Sequence, residues 1–169
     1  ELIPIPSETD DMVGVFLPDE QIFLTGDCIQ GETYPNLYTL RGTPYRDPMQ
    51  WVATIDWIRH VLRPRAVVPH HGHPLTDAGA IDDVLTAYRD AIQFTHDQTV
   101  RFINQGFGPE EIALKLTLPE HLAQHPWLGE FYGTLRHCIP AIYVGKMGWF
   151  SGDPVDLDPL PKAERAARM

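Results

Sequence analysis

Basic residues are in short supply: 13 Lys and Arg face 23 Asp and Glu, a formal net charge of −10 over 169 residues. That balance argues against nucleic acid as a partner, because binding its backbone depends on clustered cations that release counterions. An acidic surface also repels anionic membranes. A small anionic substrate is not excluded, since a metal pair or a single arginine dominates the field inside a pocket. Cysteine is sparse too. Cys28 and Cys138 are the only two, too few for a disulfide framework and without the C-x-x-C spacing of a zinc site. No apolar run approaches the roughly 18 to 20 residues that span a bilayer, so no membrane insertion is expected. The sequence also lacks an initiator Met, a basic leader and an apolar signal core, and we expect it to begin inside a longer protein. Its compartment is unknown from these residues.

Histidine, by contrast, is concentrated. Residues 67–74 read V-V-P-H-H-G-H-P, two β-branched residues followed by His70, His71 and His73. A short apolar strand ending in a glycine-containing turn holds imidazoles at the rim of a sheet, where they serve as metal ligands.

Taken in order, residues 1–11 combine two prolines with S-E-T-D-D and read as a turn-forming acidic segment. Residues 13–17 and 22–24 flank P-D-E-Q and predict a β-hairpin. The second strand runs into Gly26-Asp27, which leaves a carboxylate at the strand tip. Residues 28–46 show no period and read as a long loop carrying Asn36, Tyr38 and Arg41; loops of that length are more often functional than idle. Asp47-Pro48 is a helix start, and Val52, Ile55, Ile58 and Leu62 keep helical spacing up to Arg63-Pro64. Residues 65–69 form the next strand. From Asp77 a helix of about 28 residues is expected, followed by short helices opening at Pro109 and Pro119 and a last one over 131–149. The order implies a layered α/β half followed by an all-α half. Residues 151–169 read as a linker or tail.

Glu8, Asp27 and His71 fall at loop or strand ends in the α/β half. Mixed carboxylate and imidazole ligation suits zinc, or a pair of zinc or manganese ions, better than magnesium or calcium. A carboxylate bridges two metals more readily than an imidazole, which makes Asp27 the better bridge. His70 and His73 flank the favoured ligand, and His70 replaces His71 if the pattern slips by one.

The segments S-E-T-D-D, F-L-T-G-D, P-N-L-Y-T-L-R-G and V-V-P-H-H-G, in this order, resemble the C-terminal half of the metallo-β-lactamase fold, and within it the alkylsulfatase branch. Gly26-Asp27 matches the superfamily's G-D motif, Pro69-His70-His71-Gly72 its P-G-H-G motif with His70 for the glycine, and Glu8 stands where alkylsulfatases replace a histidine by glutamate. H-D-Q-T at 96–99, Y-G-x-x-x-H at 132–137, and G-W-F-S-G-D-P followed by L-D-P-L-P resemble the helical dimerisation domain of those enzymes. The superfamily's His-x-His-x-Asp-His run does not occur here.

The resemblance implies the C-terminal half of an αββα sandwich over residues 1–77, a helical dimerisation domain over 78–150 and a linker or tail over 151–169. It implies hydrolysis of a small-molecule sulfate ester by a water activated between two zinc ions, with manganese possible. It implies a homodimer, with the remaining metal ligands on an N-terminal segment of the same protein. Asn36 and Arg41 are the expected sulfate contacts, because guanidinium donors match a tetrahedral oxyanion. His137 is expected to bind sulfate or act as general acid on the leaving oxygen. Another ester (phosphoester, lactone or thioester) and a metal-free dimerisation or binding module are the alternative readings.

Overall fold

The computed structural model describes residues 1–38 and 44–168. Strands β1 (Leu2–Pro4), β2 (Val13–Leu17), β3 (Ile22–Gly26) and β4 (Ala66–Pro69) form one sheet in sequential order. β1 and β2 pair antiparallel, β2 and β3 form the expected hairpin, and β4 lies parallel to β3. A parallel neighbour requires a crossover. Helix α1 (Pro48–Trp57) supplies it, capped by Asp47 Oδ1, which accepts from Met49 N at 2.9 Å. The helix continues through a π-helical turn, Ile58–Leu62, and stops at Arg63, whose backbone is left-handed at φ 48° ahead of Pro64.

Residues 1–11 are not a turn throughout, as the sequence had suggested. Leu2–Pro4 form an edge strand in register with β2, Leu2 opposite Val15, while the turn is confined to the residues after Pro6. Three residues ending in proline carry too little alternation to announce a strand; the neighbouring edge supplies the hydrogen bonds that define it. Gly14 is a packing requirement of this sheet. A Cβ there would lie 2.5 Å from the ring of Phe23, which is fully buried.

The second half is helical. Helix α2 (Ala78–Asn104) starts at Asp77, whose Oδ1 accepts from Ala80 N at 2.9 Å. Its buried stripe, Ile81, Val84, Leu85, Tyr88, Ala91 and Ile92, follows the three- and four-residue spacing of the sequence. Helices α3 (Pro109–Lys115) and α4 (Glu120–Ala123) and a 3₁₀ turn (Pro126–Leu128) lead to α5 (Leu135–Met147). The last long helix begins at Leu135 and not at 131. Thr134 caps it, Oγ1 accepting from His137 N, and Gly133 packs so tightly on the Tyr34 and Pro35 carbonyls that residues 131–133 are held as a turn. The tail carries two exposed short helices, α6 (Pro154–Leu157) and α7 (Lys162–Arg168), where a plain linker was expected.

One buried cluster runs from Ile5 and Phe23 through Trp51 and Ile55 to Leu85, Tyr88, Ile92, Cys138 and Ile142, across the boundary at 77/78. Burial pushes both thiols, Cys28 and Cys138, up to about 12. They pack as small apolar groups. Among the described residues, no helix is long and apolar enough to cross a membrane.

Candidate metal and substrate site

The parallel pairing of β3 and β4 brings their C-terminal ends together, and with them the two motifs farthest apart in the α/β half. Asp27 follows β3; His70 and His71 follow β4. His70 N donates to Gly26 O at 3.2 Å and so ties the histidine turn to the aspartate turn. Gly31 and Gly72, at φ 99° and 92°, let the two loops touch; a Cβ on Gly31 would lie 2.8 Å from His71 O.

His70 Nδ1 lies 3.3 Å and His71 Nε2 3.5 Å from Asp27 Oδ1. The two imidazoles stack, centroids 4.9 Å apart and planes at 28°. One ligand atom from each of the three residues falls within 4.8 Å of the others. Asp27 Oδ1 is buried and has no hydrogen-bond donor among the described residues. A buried carboxylate oxygen without a donor is costly, and flanking imidazole nitrogens make the trio a fitting donor set for a divalent transition metal. The expected ligand His71 and its alternative His70 therefore both reach Asp27. His73 is exposed and lies outside this group.

Glu8 is buried beside this cluster but is not one of the three grouped ligands. Its Oε1 lies 2.7 Å from Arg46 Nη2. Burial pushes the Glu8 carboxyl above its ordinary value, the Arg46 guanidinium opposes that shift, and the nearby Asp27 carboxylate adds to it. Asn36 is also buried. Its Oδ1 accepts from Tyr38 N at 3.1 Å, its N–H donates to Gln30 Oε1 at 2.7 Å, and its carbonyl accepts from Arg46 Nη1 at 2.7 Å. Arg41 lies outside the described residues.

His137 stands on the first turn of α5, Nδ1 at 2.8 Å from Thr134 Oγ1, with its ring edge-on to Tyr38 at 5.4 Å. It is not in the Asp27 trio. Asp27, Gln30, Thr33, His71, Phe131 and Tyr132 line a cavity of about 520 Å³, whereas His137, Tyr38 and Arg46 line a second one. Tyr38 Oη donating to Tyr132 O at 3.1 Å joins the two. The loop that carries Phe131 and Tyr132 is clamped onto the site loop: Tyr34 N donates to Gly129 O at 2.7 Å and Tyr132 N to Thr33 Oγ1 at 2.9 Å.

Arg46, Gln30 and Tyr132 are the residues that sequence reading missed. Arg46 directly precedes the cap of α1, and nothing local marks it, because its partners Glu8 and Asn36 come from other loops. Two further histidines have ordinary carboxylate partners. His125 Nε2 meets Asp83 Oδ2 at 3.1 Å and His96 Nδ1 meets Asp97 Oδ1 at 2.8 Å.

A family model described as alkyl sulfatase dimerisation matches residues 108–169. A linear primary-alkylsulfatase from Pseudomonas sp. (strain ATCC 19151) is 46% identical over 170 aligned residues, which cover all of this chain and 32% of that protein. The whole chain is thus similar to an alkylsulfatase. The chain thus spans about a third of the length of that relative. The solved structure of the stereoselective inverting sec-alkylsulfatase Pisa1 from Pseudomonas sp. superposes with a TM-score of 0.86 at 27% identity, over 98% of this chain and 26% of Pisa1. A metallo-β-lactamase family protein from Thermus thermophilus shares the fold alone, at a TM-score of 0.51 and 18% identity over 88% of this chain and 44% of its own. An α/β part followed by a helical part is the architecture the sequence implied, and the chain has it.

Proposed function

We propose that this chain forms part of a metal-dependent hydrolase that splits sulfuric esters, alkyl sulfates above all, into alcohol and inorganic sulfate. The observation that carries the reading is the buried Asp27 oxygen flanked by two imidazoles and lacking a donor among the described residues, in a chain 46% identical throughout to a linear primary-alkylsulfatase.

Asp27 and His71, with His70 as the alternative, would hold metal from this side, and Glu8, buried beside them, would join them. Two zinc ions, or manganese in their place, would supply a water of lowered pKa and positive charge opposite the departing sulfate. The other ligands of such a pair come from residues outside these 169, a reading supported by the greater length of the relatives. Asn36 and Arg41 orient the sulfate group. Thr134 holds His137 by Nδ1, which leaves Nε2 to bind sulfate or carry a proton to the ester oxygen of the leaving alcohol.

Residues 1–77 belong to the catalytic domain in this reading, 78–150 to the helical domain and 151–169 to the tail, with the protein a homodimer through the helices after Asp77. The match of residues 108–169 to a dimerisation family supports that part. The test is release of inorganic sulfate from a medium-chain alkyl sulfate by the metal-loaded full-length protein, beside a phosphoester and a lactone. Sulfate release is expected; cleavage of either comparison ester without it overturns the reading.

A further inference from the structure

Gln30 is 4% exposed and borders the same cavity as Asp27 and His71. Its Oε1 accepts from Asn36 N at 2.7 Å. An amide N–H cannot accept from a backbone N–H, so this bond fixes which way round the side chain stands and sends Nε2 to the opposite edge. Nε2 is buried there and has no acceptor in hydrogen-bond geometry among the described residues. The Asn36 bond needs only an oxygen, which a glutamate would supply as well. What distinguishes glutamine is the donor, shut away from water and from any substrate, so that its partner has to be a group of the protein.

That group is a carboxylate. Burial pushes the Glu8 carboxyl above its ordinary value, the Arg46 guanidinium opposes the shift, the Asp27 carboxylate adds to it, and the Gln30 side chain opposes it again, as a hydrogen-bond donor does. Arg46 has the same double reach as Gln30. Its Nη1 bonds the Asn36 carbonyl at 2.7 Å and its Nη2 meets Glu8 Oε1 at 2.7 Å. The N–H and the C=O of Asn36 are thus held by the two side chains that act on Glu8, one a neutral amide and one a cation. A carboxylate held by one donor still rotates, and a second donor from another loop fixes it.

We propose that Gln30 is a positioning residue for the metal site: its Nε2 donates to the Glu8 carboxylate and orients it toward Asp27 and His71, while its Oε1 ties that donor to the loop at Asn36. The inference rests on the reading of Glu8 as a ligand in a metal-dependent hydrolase.

The test is a double-mutant cycle on the full-length protein, read as zinc affinity by competition with a chromogenic chelator. Gln30→Met should weaken zinc binding about tenfold, the range for residues that orient a ligand. In a Glu8→Ala background, where no carboxylate is left to orient, the same substitution should change the affinity less than twofold. Equal losses in the two backgrounds overturn the proposal, because they show Gln30 acting only through the shape of its loop, and no loss in the first background overturns it as well. If Gln30→Met fails to fold by circular dichroism, Gln30→Glu keeps the acceptor for Asn36 N and replaces only the donor; it should also bind zinc about tenfold more weakly, and unchanged or tighter binding overturns the proposal. A cycle that closes as expected in a protein that releases no sulfate from an alkyl sulfate leaves the role of Gln30 standing and removes the sulfuric ester hydrolase reading instead.

Discussion

Arg46 and Glu8 form an ion pair of 2.7 Å with side chains only 10% and 11% exposed. The same guanidinium bonds the carbonyl of Asn36 at 2.7 Å. One side chain thus binds the acidic turn after β1 to the loop that carries Asn36. A pair this buried is held more by the cost of separating it than by its net attraction.

Arg46→Met should therefore destabilise the fold by about 3–5 kcal/mol, the cost of leaving a buried carboxylate unpaired. Arg46→Met combined with Glu8→Gln should recover more than half of that loss, because the stranded charge is gone. Urea unfolding of the two single variants and the double variant measures the coupling. Additive losses would show that the pair is not what holds this corner.

Metal affinity separates the two histidines. With His71 as ligand and His70 orienting it, His71→Ala should lower zinc affinity by more than 100-fold and His70→Ala by about tenfold, the range for outer-shell partners. Competition with a chromogenic chelator reads both, and removal of metal by chelator should abolish ester turnover in wild type. A larger loss in His70→Ala exchanges the roles.

Much of this was legible because the signals were local. The Asp47 helix start, the Pro18–Gln21 hairpin turn and the α2 stripe are written in neighbouring residues, and each formed where expected. The meeting of Asp27 with the histidine turn followed from two strand-end motifs and a crossover helix. What stayed hidden depends on distant partners. β1 exists through its pairing with β2, α5 begins where Gly133 docks on the Tyr34 carbonyl, and Arg46 matters through Glu8 and Asn36. Asn36 combines both kinds of signal: its residue type suggests a ligand contact, and its Oδ1 also accepts from Tyr38 N within its own loop, a partner two residues away.

The buried thiols predict an alkaline loss of stability. Cys28 and Cys138 are pushed from 9.0 to about 12 by burial, so between those values the unfolded chain releases protons that the folded chain retains. The folded state then binds more protons, and stability falls as pH rises, by up to about 1.4 kcal/mol per pH unit for each thiol. Urea unfolding under reductant from pH 8.5 to 10 should show this decline, and a Cys28→Ala, Cys138→Ala variant should flatten it. A thiol reagent should label neither cysteine at pH 8 until denaturant is added; rapid labelling of the native protein would contradict the burial.

Tyr88 ties the long helix to the site loop. Its hydroxyl is buried in α2 and donates toward Gly31 O at 2.5 Å and Thr33 O at 2.8 Å, so the loop between Asp27 and Asn36 is anchored by a residue of the helical half. Tyr88→Phe keeps the ring and its packing but leaves those carbonyls without this donor. The expected cost is about 1–3 kcal/mol, because the site is too enclosed for water to replace the hydroxyl. Gly31 presses on His71, so loosening it should also be felt at the ligand trio: hydrogen exchange should accelerate at Thr33 and Tyr34 and at the histidine turn, while β2 and α3 remain unchanged. Exchange unchanged at residues 70–72 would mean that the histidine turn is held by His70 N on Gly26 alone, independently of α2.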